Sequence, residues 1–134
     1  MRSLTLAGVL AAAIAAAAPA LADPVEGIWQ SAADDNGDFG HIRIEPCGER
    51  LCGTLIRSYN SAGEQTQSDS IGRRIVWDML PQGGGDYGRG KIWAPDRDKT
   101  YASRMHLEGD RLSVSGCILG GAICRDGGTW RRVE

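Results

Sequence analysis

The sequence predicts an all-β fold: a small up-and-down β-barrel of about eight antiparallel strands, stapled by disulfides. Three observations predict it. Beyond residue 22 no apolar stripe has helical spacing. Short alternating runs are instead broken by turn residues about every ten positions. The four cysteines fall in two close pairs, Cys47 with Cys52 and Cys117 with Cys124. A two-sheet β-sandwich fits the same pattern and is the alternative.

The N-terminus reads as a cleaved signal peptide over residues 1–22, leaving one domain over 23–134. Met1-Arg2-Ser3 gives a positive start, Leu4–Ala18 is apolar apart from Gly and Thr, and Ala20-Leu21-Ala22 is a small-x-small cleavage site. The Ala-rich run is shorter than the ~20 residues of a membrane span. No later stretch could span either, so a soluble chain in a periplasm or outside the cell is expected. The remaining 112 residues suit one domain, which buries about two-thirds of its unfolded surface. With 14 Lys+Arg against 17 Asp+Glu, they have no basic excess for nucleic acid. No block of like charge points to an anionic membrane.

Strands are predicted at Gly27–Ser31, Phe39–Glu45, Leu51–Ser58, Arg74–Met79, Arg89–Ala94, Thr100–Leu107, Arg111–Cys117 and Thr129–Val133. Alternation is clearest where Tyr101, Ser103, Met105 and Leu107 oppose Ala102, Arg104 and His106. Glu108-Gly109-Asp110 then fits a hairpin loop. Asp35–Asp38, Cys47–Arg50 and Pro95–Asp98 hold residues that tolerate tight turns. Gly83-Gly84-Gly85 reads as a longer flexible connection. The polar stretch Asn60–Ser70 reads as the most mobile loop, with room for a short helix. In an oxidising compartment the cysteines read as disulfides. Of three connectivities, the local pairing Cys47–Cys52 and Cys117–Cys124 is expected, each closing a turn for about 2 kcal/mol. A four-thiolate zinc site would need C-x2-C spacing, which is absent.

Four Trp against one Phe is an unusual balance. In a barrel, Trp77, Trp93, Tyr101 and Met105 are the candidates to line a cavity for a small apolar ligand. The bland reading is that they fill the interior, because an eight-stranded barrel is only just wide enough for side chains. Asp34, Asn36, Asp38 and Glu45 match part of a calcium loop, but Phe39 stands where that loop needs Gly. A solvated turn is the better reading, and neither metal nor cofactor is expected. Only His41 and His106 could serve as bases, and no nucleophile elbow appears, so no catalytic constellation is expected.

The chain resembles a bacterial family of secreted proteins known as domain of unknown function 2147. The matching signatures are Gly27-Ile28-Trp29, Cys47-Gly48-x-x-Leu51-Cys52-Gly53, Gly90-Lys91-Ile92-x-x-Pro95, Lys99-Thr100-Tyr101, Gly116–Gly121 and Thr129-Trp130-x-Arg132-Val133. The resemblance implies a lipocalin-like barrel and names no activity. Lipocalins also carry a G-x-W on the first strand, whose Trp packs near a basic residue of the last. Here that implies Trp29 under Arg131 or Arg132, with Arg132 the candidate to close one barrel end. The expected function is a periplasmic, non-enzymatic carrier of a small, largely apolar ligand. The alternative is a filled barrel meeting an envelope protein through Asn60–Ser70 and Gln82–Gly88.

Overall fold

Alternating apolar and polar residues become strands because one face can be buried while the other stays wet. The computed structural model describes residues 22–134, with Ser3, Thr5, Ala7 and Gly8 before them. The expected signal segment therefore lies almost entirely outside the described residues. Nine strands follow: β1 (Gly27–Gln30), β2 (Phe39–Cys47), β3 (Arg50–Tyr59), β4 (Gln65–Thr66), β5 (Arg74–Gly83), β6 (Asp86–Ala94), β7 (Lys99–Glu108), β8 (Arg111–Ile118) and β9 (Ile123–Arg132). All except β4 pair antiparallel with their neighbours in sequence, and β1 also pairs with β9. The sheet thus closes into an eight-stranded barrel, not a sandwich. β4 pairs only with the end of β3.

Three connections differ from the sequence expectation. The glycine run is a tight turn, with strands reaching Gly83 and Asp86. Gly84 and Gly85 have φ of 64° and 87°, a pair of positive values that glycine adopts freely and that suits a twisted hairpin. Asn60–Ser70 contains β4 and a turn in which the Asn60 side chain accepts from the amides of Ala62 and Glu64. β9 starts at Ile123, earlier than Thr129, because its pairing with β8 continues past the cysteines. Both disulfides join the expected partners, with Cα–Cα distances of 5.8 and 4.0 Å. Each staples one hairpin on its outer side, as the pairings Glu45↔Cys52 and Ala102↔Cys117 require.

The inner face carries Trp29, Ile42, Ile44, Val76, Met79, Met105, Leu112, Val114 and Trp130, all buried. Gly53 makes room among them: a Cβ there would stand 2.8 Å from both Ile42 and Val76. The turns β2–β3, β5–β6 and β7–β8 lie at one end of the barrel. The long loops and the β8–β9 tip lie at the other.

Candidate functional site

The first end is plugged. Val25 and Trp29 are fully buried there, and the Trp29 indole donates to the Val25 carbonyl at 2.8 Å. The Arg132 guanidinium lies 4.4 Å from the Trp29 ring centroid. It also donates to the Glu26 carbonyl at 2.8 Å and to the Asp110 carboxylate at 3.1 Å. Gly27, at φ 140°, is needed beneath it, because a Cβ would stand 2.7 Å from the Arg132 Nη1. Tyr87 donates to the Asp23 carboxylate. Burial first, and then this bond, push the Tyr87 pKa up. Trp29 and Arg132 thus meet as barrel-end partners, across the register pair that closes β1 on β9.

The opposite end is open. Ile92 and Tyr101 are directly paired, and Tyr101 continues the face of Ser103 and Met105. Ser103 and Met105 are buried, whereas Ile92, Tyr101 and Gly116 are only half-buried, so solvent reaches the inner face at that level. The Tyr101 hydroxyl stands at the rim beside the Arg97 guanidinium.

Register sets Trp77 apart from the other cavity candidates. Val76 pairs with Ile92 on the inner face, so the adjacent Trp77 points outward, beside Lys91. Trp93 is part of the buried core cluster, with the Arg73 guanidinium 3.3 Å from its ring centroid and its N–H donating to Asp98 at 2.9 Å. Trp77 borders a shallow outer recess of about 300 Å³ with Arg73 and Arg74. Tyr101 and Met105 stand on the inner face, Trp93 is packed into the core cluster, and Trp77 lies half-buried against it. Adjacent residues of one strand face opposite ways, and the sequence does not state which way is in.

Two histidine clusters on the outer wall were not legible before the register was known. Asp86, His106 and Ser113 are cross-strand neighbours in a row, beside an outer groove of about 330 Å³ that also meets Arg104 and Ser115. His106 Nδ1 lies 2.7 Å from Asp86 and Nε2 lies 3.2 Å from Glu108. The hydrogen bond to Asp86, then that to Glu108, raise the His106 pKa. With a carboxylate on each nitrogen, the protonated ring is favoured, and both nitrogens are engaged away from Ser113. His41 is arranged the opposite way. Arg57 Nε donates to its Nδ1 at 3.1 Å, which fixes the neutral ring with its proton on Nε2, toward Gln30 at 3.3 Å. Burial, and then the Arg57 charge, lower its pKa. In the acidic loop, the Asp34 carboxylate accepts from the amides of Asn36 and Asp38 at 2.9 and 3.0 Å, binding its own turn.

The barrel and its plugged end define the class as a lipocalin-like β-barrel. The chain belongs to the bacterial family described as "Uncharacterized protein conserved in bacteria (DUF2147)", whose model matches residues 27–132. Among solved structures it is similar to protein HP1028 from Helicobacter pylori, described as belonging to the lipocalin family. The TM-score is 0.66 at 17% identity, over 81% of this chain and 82% of that one. No curated protein matches the sequence.

Proposed function

We propose that the protein is an extracytoplasmic, non-enzymatic binding barrel that takes a small, largely apolar ligand at its open end. The observation that carries this reading is the inner face at the loop end, where Ile92, Tyr101 and Gly116 are only half-buried while Ser103 and Met105 below them are buried. Such a mouth offers apolar walls with a phenol and the nearby Arg97 as polar anchors, the usual make-up of a ligand site. The signal-like residues 1–22 and the two disulfides support residence in a periplasm or outside the cell. The absence of catalysis is supported by the two histidines, whose ring nitrogens are already engaged, by Asp86 and Glu108 at His106 and by Arg57 and Gln30 at His41.

Native mass spectrometry of the protein from a periplasmic extract, before and after organic extraction, tests the reading. An excess mass that extraction removes, and that falls in Tyr101→Ala but not in Trp77→Ala, is the expected result. A bare polypeptide mass would overturn it. The second reading, a filled barrel acting on an envelope protein through its outer wall, would then lead. The observation favouring it is that the 330 Å³ groove at His106 and the recess at Trp77 both open outward.

A further inference from the structure

The β8–β9 tip is built unlike the other turns. Residues 118–123 read Ile-Leu-Gly-Gly-Ala-Ile, without one polar side chain. The neighbouring hairpin turns carry charged residues, as in Pro95–Asp98 and Glu108–Arg111. Ile118, Leu119 and Ile123 are 50%, 73% and 49% exposed, and no other part of the described chain gathers exposed large hydrophobics this way. The backbone holds them out. Ile118 and Ile123 are paired directly, one step beyond the paired and disulfide-linked Cys117 and Cys124. Leu119 sits at φ 54°, a conformation in which its Cβ is strained and which the short crosslinked loop maintains. By alternation from Ser103 and Gly116, Ile118 shares the face of Tyr101, so the tip prolongs the apolar wall of the mouth past the rim.

We infer that this tip inserts into the surface of a phospholipid bilayer, turning the open end of the barrel toward the lipid. Three side chains on a six-residue loop present far less than the ~800 Å² per partner of a stable protein interface. A bilayer surface needs no matching shape, only apolar side chains to bury and cations to sit among the headgroups. Cations are at hand. Arg125 follows Cys124, Arg97 lies in the neighbouring β6–β7 turn and Lys99 opens β7, on which the loop packs. Among the described residues neither Arg125 nor Lys99 has a carboxylate within ion-pair distance, and Arg97 has only Asp96, at 4.0 Å. Asp96, Asp98 and Asp126 beside them keep their negative charge, so the rim is close to neutral and the apolar side chains carry the adhesion. Adhesion of this kind does not require that the barrel carry a ligand.

The test is co-sedimentation of the purified protein with vesicles of phosphatidylethanolamine and phosphatidylglycerol. Leu119→Asp should weaken association about tenfold or more, since a leucine that enters the interface is replaced by a charge. Its circular dichroism should be unchanged, because the Leu119 side chain is largely exposed. Leu119→Trp should bind and be quenched by vesicles with brominated acyl chains. Association unaltered in Leu119→Asp would overturn the inference, as would an absence of vesicle binding. Self-association in sedimentation velocity that Leu119→Asp abolishes, without vesicle binding, would overturn it in favour of a second copy of the chain.

Discussion

Arg132 holds three tasks at once: it stacks on Trp29, pairs with Asp110 and satisfies carbonyls of residues 24 and 26. Arg132→Met keeps the aliphatic stem and removes all of them. A loss of about 1–3 kcal/mol is expected, read as a lower urea midpoint at unchanged slope. The histidines make a second expectation at this scale. In an NMR titration His106 should titrate above 6.5 and His41 below it. The signs for stability follow. The His106 contribution is complete below 6.5 and fades as pH rises through its raised value. The His41 contribution is complete above 6.5 and fades as pH falls through its lowered value. Asp86→Asn together with Glu108→Gln should return His106 toward 6.5, and leave His41 where it was.

At the level of elements, the β8–β9 hairpin shows what a short crosslink does. Cys117→Ala with Cys124→Ala removes a staple worth about 2 kcal/mol. Its expected signature is faster amide exchange confined to residues 118–123, with the rest of the barrel protected as before. Exchange that accelerated everywhere would contradict the view that this staple acts locally. The strands themselves were legible in the sequence, since period-two alternation and turn residues locate Phe39–Glu45 or Thr100–Leu107 to within a few positions. What escaped was cross-strand. Trp77 looks like a cavity residue until Val76 is paired with Ile92, which turns it outward beside Lys91. The two-residue β4 had no signal, because Gln65 and Thr66 pair only through their backbone with Ser58 and Tyr59. Asp86 and Glu108 each meet His106 through register or through the side-to-side spacing of one strand, so neither was visible as a partner.

On the scale of the whole molecule, the segment ahead of β1 belongs to the barrel. Val25 is fully buried, Asp23 accepts from Tyr87, and Arg132 binds the carbonyls of Pro24 and Glu26. A chain beginning at Gly27 should therefore lose about 3–5 kcal/mol, from one buried valine and two or three hydrogen bonds. Calorimetry against a chain beginning at Asp23 would measure it, and equal melting temperatures would show the segment to be dispensable. The family match and the barrel agree with what the G-x-W start and the cysteine spacing implied. The side on which the barrel is open was not foreseeable, since it depends on which inner residues remain half-exposed.

The seam between β1 and β9 joins Trp29 and Gln30 to Arg132 and Arg131. Every other pairing of the closed sheet links strands that are consecutive along the chain, apart from the small detour through β4. A polypeptide that folds from its N-terminus onward can therefore form hairpin after hairpin as it emerges, yet both margins of its growing sheet stay unpaired. Only the arrival of the last few residues removes them. Until then the nascent sheet is open to strand addition by other chains. The time between the first hairpin and the final strand is thus the interval in which this protein most needs an escort.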